Sequence, residues 1–237
     1  IAAVILEPAA RVEGLEEPVR DADPAFLAAL VETCRREGIV TIFDEIVTGF
    51  RHPQGSVQRA TGVVPDLTCL GKALSAGMPL SALVGRRALM EQCSRIAYIP
   101  TFRGETLSLA AAQAALGIYA TRDVPREIQA FGSELKAAVN RLSGELGIGG
   151  EMIGPAFRLL YRFHEPDALR LAQKRTLLQQ ELLKNGVLTF KGLMLPSTAH
   201  GPREVEETLA AFRAALMVVL EAASSGRYAR YLEIPYV

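Results

Sequence analysis

Three short apolar runs, each closed by ionisable residues, constrain the fold of this chain more than any other feature. They are IAAVILEP, ending at Glu7, IVTIFDE, ending at Asp44 and Glu45, and DLTCLGK, ending at Lys72. Runs of this length with little polar alternation suit strands buried on both faces, as in a parallel sheet. A fourth run, PLSALVG, reads as a further strand before a short helical stretch, RRALMEQC. Between the first two runs, DPAFLAALVETCRREG offers Asp23 as an N-cap, Pro24 at the first helical position and Gly38 as a stop. Phe26, Leu27, Leu30, Val31 and Cys34 give that helix an apolar stripe. Strands alternating with helices predict an α/β fold with a mainly parallel sheet. Ligands in such sheets collect beyond the carboxyl ends of the strands, so Glu7, Asp44 and Lys72 are expected at one edge.

From about residue 123 the pattern changes. VPREIQAFGSELKAAVNRLSGELG and PDALRLAQKRTLLQQELLKNG read as long amphipathic helices, and AFRLLYRFH alternates like a half-exposed strand. An extended stretch, VLTFKGLMLPS, precedes a last helix from about Pro202, with Val205, Leu209, Phe212 and Leu216 on one face. The expected organisation is therefore residues 1–122 as part of a large α/β domain and 123–237 as a smaller α+β domain.

Bulk charge excludes some partners. Lys plus Arg equals Asp plus Glu at 26 each, so no global field draws in nucleic acid or an anionic membrane. Cys34, Cys69 and Cys93 are widely spaced, which argues against a disulfide framework and a thiolate metal site and fits a reducing cytoplasm. The charge-free stretch from Thr106 to Thr121 is shorter than the roughly 18–20 apolar residues of a membrane span, and reads as a buried helix. The first residues, with no initiator Met or signal-like leader, already resemble a central strand. The expectation is a chain that starts mid-fold, with parts of any site upstream.

Successive strand residues face opposite ways, so Asp44 and Glu45 cannot easily share a ligand. Lys72 stands in TCLGKALSAGMP, where Gly71, Ala73, Ser75, Ala76 and Gly77 leave room for a flat ligand. A pyridoxal phosphate enzyme needs a lysine to form an imine and an acid to keep the pyridine nitrogen protonated, and both residue types occur here at predicted strand ends. An apolar strand ending in Asp-Glu also suits the magnesium-binding strand of a P-loop ATPase. However, Asp66 and Ala73 stand where the phosphate loop wants Gly and Ser or Thr. A metal site from Asp44, Glu45 and His52 would need diverging acids to converge.

AAVILEP, TIFDEIVTGFR, PDLTCLGKALSAGMPLSALVG, GETLSLAAAQAAL and STAHGPREVEETLAAF, in this order, resemble the class III (subgroup II) aminotransferases of the fold type I pyridoxal phosphate family. The likeness runs from residue 1 to about 220 and is greatest to the glutamate-1-semialdehyde aminomutase-like branch. It implies that Lys72 is the Schiff-base lysine and Asp44 the partner of the pyridinium nitrogen. Ile46, two positions on and so on the same strand face, should pack on the ring. Thr106 matches the threonine that meets the cofactor phosphate across a dimer interface, which implies a homodimer. Amides opening the helix after Thr106 would add an anion site. The implied activity is transamination between an amine or amino acid and a keto acid or aldehyde, with an intramolecular aminomutase as the alternative.

Glu7, Arg51 and His200 lie in matching stretches and are read as structural: a strand-end acid, an arginine holding a turn, and a polar residue before the last helix. Arg103 is an additional candidate for anion contact. The aminomutase's small-domain acid has no counterpart between Val187 and Ser197, nor has the arginine with which other class III transaminases clamp a substrate carboxylate.

Overall fold

The computed structural model of the protein describes residues 1–10, 18–96, 101 and 104–235. By its internal contacts the chain divides into two units. One comprises Ile1–Ala10 and Arg20–Arg126; the other comprises the described residues from Glu127 onward, with Pro18 and Val19.

The first unit contains, in order, β1 (Ala3–Leu6), β2 (Ala9–Ala10), β3 (Arg20–Asp21), α1 (Pro24–Arg36), β4 (Val40–Asp44), α2 (Val57–Thr61), β5 (Leu67–Leu70), a 3₁₀ turn (Lys72–Ser75), β6 (Ala82–Gly85), α3 (Arg87–Met90) and α4 (Thr106–Thr121). The main sheet has the order β1-β4-β5-β6, while β2 and β3 form a small antiparallel ribbon. β1, β4 and β5 are parallel, with Leu6 opposite Phe43 and Asp44 opposite Cys69. β6 returns antiparallel to β5. The fourth run is thus a strand, but in the reverse direction. Only residues 71–81 separate it from β5, which is short for the crossover a parallel neighbour requires.

Asp23 caps α1 as expected, its Oδ1 accepting from the Ala25 amide at 2.8 Å. The buried stripe is Leu27, Val31 and Cys34; Phe26, one position off that line, is exposed. α4 departs further from expectation. It buries the small residues Ser108, Ala112 and Ala115, and leaves Leu107, Leu109, Leu116 and Ile118 exposed. A helix apolar all round does not reveal from hydropathy which face its own unit covers. Here the close packing is made by the small side chains.

In the second unit, α5 (Val124–Leu146), which starts just before the division, is followed by β7 (Gly150–Ile153), β8 (Leu159–Phe163), α6 (Ala168–Lys184), β9 (Leu193–Met194) and α7 (Pro202–Ser225). The strands form an antiparallel sheet in the order β7-β8-β9. β8 is central and almost wholly buried, not half-exposed: Leu159, Tyr161 and Phe163 join Leu142, Leu177, Phe212 and Leu216 in one core. Burial pushes the Tyr161 phenol up to about 12, and Ser143 Oγ lies 2.9 Å from its oxygen. α7 is long and apolar enough by composition to cross a membrane, yet Val205, Phe212, Leu216 and Val219 are core residues of this unit.

Candidate active site

The site is built where parallel strands β4 and β5 end together. β4 stops at Asp44, and the chain turns immediately as the Ile46 amide donates to Asp44 Oδ1 at 3.0 Å. This Asx-type turn, not strand alternation, positions Ile46, so the same-face argument is corrected: the strand does not reach residue 46. Ile46 lies against the end of β5. A Cβ added at Gly71 would stand 3.3 Å from Ile46 Cγ2, a tight contact that Ile46 could meet only by shifting a few tenths of an ångström. Asp44 Oδ2 has no hydrogen-bonded partner among the described residues. Burial, and then the Asp44 charge beside it, push the Cys69 thiol up. Asp44 stands opposite Cys69 in the pairing of β4 with β5.

Glu45 has the opposite surroundings. It is 0 % exposed, and its carboxylate accepts from Thr48 Oγ1 (2.8 Å), the Val57 amide (2.8 Å), the Gln58 amide (3.1 Å) and Gln58 Nε2 (3.2 Å). Its acceptor capacity is occupied in tying the turn after β4 to α2. A hydrolase reading that needs Glu45 as a metal or water ligand meets a buried carboxylate already holding four donors. His52, the third residue of the considered metal set, has Nε2 3.1 Å from Asp21 Oδ2 on β3.

Lys72 opens the 3₁₀ turn after β5 with an exposed side chain and a left-handed backbone, φ +47°. Left-handed φ is uncommon for a non-glycine residue and persists only where its surroundings hold it. Asp44, Ile46 and Lys72 thus come to one strand edge, to which β1 also delivers exposed Glu7.

Thr106 is exposed at the first position of α4. Tyr119, thirteen positions on, donates from its hydroxyl to Ala73 O at 2.9 Å. At 1.5 Å per residue, Thr106 therefore lies about 20 Å along the helix from that contact. The expectation of free amides after Thr106 is corrected. Glu105 caps the helix, accepting from the Leu107 amide at 2.6 Å and the Ser108 amide at 2.7 Å, so a carboxylate already fills that position.

Arg51 sits half-buried near Tyr119; burial lowers its guanidinium from its ordinary value, with Tyr119 opposing. His200 accepts from the Ser197 amide at 3.0 Å and stacks on Phe131. Arg103 lies outside the described residues. Sequence reasoning missed Glu105, because Glu is not a favoured N-cap type, and Tyr119. The signal for Tyr119 was a polar-tipped aromatic within a helix otherwise free of charge.

Comparison with known proteins gives these residues a family. The model of the aminotransferase class-III family matches residues 1–152. The chain belongs to the class-III aminotransferase family. Glutamate-1-semialdehyde 2,1-aminomutase of Thermomicrobium roseum is 31% identical over 233 residues, covering 92% of this chain and 53% of that protein. The protein of the same name from Syntrophobacter fumaroxidans is 37% identical over 151 residues, 62% of this chain and 34% of its own. Among solved structures, the PLP internal aldimine form of the FumI protein of Sphingopyxis sp. MTA144 superposes with a TM-score of 0.84 at 27% identity, covering 94% of this chain and 53% of that one. An omega-transaminase from Sphaerobacter thermophilus gives 0.73 at 26%, with 92% and 52% covered. The chain spans about half the length of the relatives it matches over most of its residues. Its class-III fold is a mixed α/β structure with a mostly parallel main sheet.

Proposed function

We propose that the protein is a pyridoxal 5′-phosphate-dependent aminotransferase whose cofactor is held by Asp44, Ile46 and Lys72. The observation that carries this reading is the meeting of a partly open carboxylate and an exposed lysine at the ends of two adjacent parallel strands, in a chain of this family. The residues fit the group: Asp44 Oδ2 is available to accept from a ring N–H, Ile46 offers an apolar surface, and Lys72 offers an amine. When bound, the cofactor supplies an aldehyde that takes up amines and a cationic ring that draws electrons from the adjacent carbon. Lys72 would hold the group through Nζ and, once a substrate amine has taken that place, would serve as the base and acid that moves a proton off and onto the substrate. Asp44 would keep the ring nitrogen protonated, and the Ile46 side chain would offer the ring an apolar surface that excludes water.

Residues 1–122 act as part of the cofactor-binding domain, and 123–237 as the small domain. We further propose a cytoplasmic homodimer in which Thr106 serves the phosphate of the neighbouring subunit's site. Exposed Leu107, Leu109, Leu116 and Ile118 on α4 support a protein-covered surface there. The substrates are an amine or amino acid donor and a keto acid or aldehyde acceptor.

Internal amine transfer, as in an aminomutase, is the second reading, favoured by the names of the similar sequences. An amine product formed without added keto acid would support it; a strict requirement for the keto acid would remove it. For either reading, the protein mixed with pyridoxal 5′-phosphate should absorb visible light, and borohydride should bleach it and leave a pyridoxyl group on Lys72. A folded protein that gives no such adduct overturns both.

A further inference from the structure

Among the described residues, four that are not glycine have left-handed φ: Phe50 at +64°, Lys72 at +47°, Ala76 at +50° and Lys191 at +52°. Such backbone is unfavourable for residues with a Cβ, most of all for a bulky one, and persists only where packing or hydrogen bonding holds it. One of the four, Phe50, touches Tyr119, and two more, Lys72 and Ala76, flank the turn whose carbonyl Tyr119 reaches. The Tyr119 ring stacks on Phe50, with centroids 4.9 Å apart and planes 19° from parallel. Its hydroxyl donates to Ala73 O at 2.9 Å, and the Ala76 amide donates to the same oxygen at 3.4 Å. That carbonyl therefore lies between strained Lys72 and strained Ala76, and its strongest contact comes from outside the turn.

The stack fixes the ring, and the ring fixes the hydroxyl. Burial raises the Tyr119 phenol from its ordinary value, with Arg51 opposing, so the group remains a donor at neutral pH. Within the turn, the Leu74 amide reaches Gly71 O at 3.0 Å and Ser75 Oγ reaches Met78 O at 2.5 Å. The first of these holds the N–H of the Ala73–Leu74 peptide, and Tyr119 is the side chain from outside the turn that holds its C=O. Release of that C=O would loosen the turn that Lys72 opens, and small errors in the placement of a reacting amine are costly.

We propose that Tyr119 is a positioning residue for Lys72: its hydroxyl on Ala73 O and its ring on Phe50 hold the turn that aims the amine at the cofactor aldehyde. This rests on the reading of Lys72 as the amine that links to pyridoxal 5′-phosphate. Tyr119 does not touch the reacting atoms; it acts through the Ala73 peptide.

The test uses the holoenzyme and Tyr119→Phe, which keeps the stacked ring and removes only the donor. Two probes separate positioning from general structure. Pyridoxal 5′-phosphate must link to Lys72, whereas pyridoxamine 5′-phosphate fills the same site and has no aldehyde to link. Loss of one hydrogen bond should lower the equilibrium constant for the covalent link by about three- to tenfold. It is read by absorbance titration and by borohydride trapping followed by peptide mapping. Affinity for pyridoxamine 5′-phosphate should stay at the wild-type value, and unfolding should remain cooperative. Unchanged linkage, or an equal fall for both probes, overturns the proposal. If wild-type protein forms no Lys72 adduct, the functional reading fails instead, and amide exchange at Leu74 and Ala76 in cofactor-free protein decides the role of Tyr119 in the turn. Faster exchange in the variant upholds that role, and equal exchange overturns it.

Discussion

At the amino end of β5, Asp66 is saturated by its own fold, whereas at the carboxyl ends of β4 and β5 the ionisable groups keep capacity to spare. Asp66 Oδ2 accepts from the Thr41 amide at 2.8 Å and Thr41 Oγ1 at 2.9 Å, and Oδ1 accepts from Arg86 Nη1 at 2.7 Å. Its amide donates to Thr41 O, and the Arg86 amide donates to its carbonyl, so β4, β5 and β6 are laced together there. At the opposite end Asp44 accepts one amide and Lys72 is exposed on left-handed backbone. Charges at the one end hold the fold, and those at the other are open to a ligand. A carboxylate whose lone pairs are filled has nothing to offer; a partly open one on a tight turn does. The dipeptide Asp44–Glu45 repeats the contrast within two residues, since Glu45 has four donors.

The comparison breaks most visibly at Lys72. Lys72→Ala should fold as wild type and lose all borohydride-trappable pyridoxyl label at that position, measured by peptide mapping. Label appearing on another lysine with full catalytic rate would show that the open end had been misread. Asp44→Asn should come next. Its stability should lie within a few tenths of a kcal/mol of wild type, because one local amide bond is at stake and the amide side chain still accepts it. Turnover should fall on the order of a hundredfold or more, because on the proposed reading the charge that keeps the cofactor's ring nitrogen protonated is lost. Steady-state rates and urea unfolding, taken together, check this. A large loss of stability with little loss of rate would reverse the roles assigned to the two sheet ends.

Glu45→Gln sharpens the contrast from the other side. An amide cannot accept four donors through two oxygens, and its NH₂ would face backbone amides in a site with no exposure. The expected cost is about 2–4 kcal/mol of unfolding free energy, since buried donors lose a charged acceptor. Urea unfolding followed by circular dichroism measures it. A Glu45→Gln protein as stable as Asp44→Asn would erase the distinction between the two acids.

Much of this division was legible in the sequence, and the reasons for the rest are physical. Apolar runs closed by Asp44 and Lys72 locate the parallel strands and their shared edge, but the expected burial on both faces is not found: only Thr41 and Phe43 of β4 are buried, and Ile5 of β1 is exposed. The divergence of Asp44 from Glu45 follows from the backbone. The direction of β6 was not legible from its residues; it depends on the short connection after Lys72. Nor was the route by which Ile46 is placed, because an Asx-type turn and a continued strand put it near the site by different geometries. The filled amides at Leu107 and Ser108 depend on Glu105 acting as a cap, which its residue type does not advertise. Tyr119 reaches Ala73 across 46 residues, and long-range hydrogen bonds leave no local pattern.

The smallest effects belong to the closed end and carry a pH signature. Burial alone would raise Asp66, but the bonds from Thr41 and Arg86 outweigh it and hold the carboxyl below its usual value. A folded-state value below the unfolded one, about 3.9, means that the stabilisation is complete above that pH and is lost as pH falls through the folded value. Asp66→Asn should therefore cost about 1–3 kcal/mol at pH 7. The gap from wild type should shrink as pH drops below about 4, where the carboxyl of the wild-type protein also becomes neutral. Urea unfolding of both proteins at the two pH values isolates Asp66, because every other titrating group is common to both. A gap of the same size at both would mean that shape, not charge, closes this end of the sheet. Arg86→Ala should cost less than about 1 kcal/mol, since the Arg86 side chain is 65% exposed and water screens its pair with Asp66. Thr41, buried and bonded through both its amide and its hydroxyl, accounts for the larger share of the clasp.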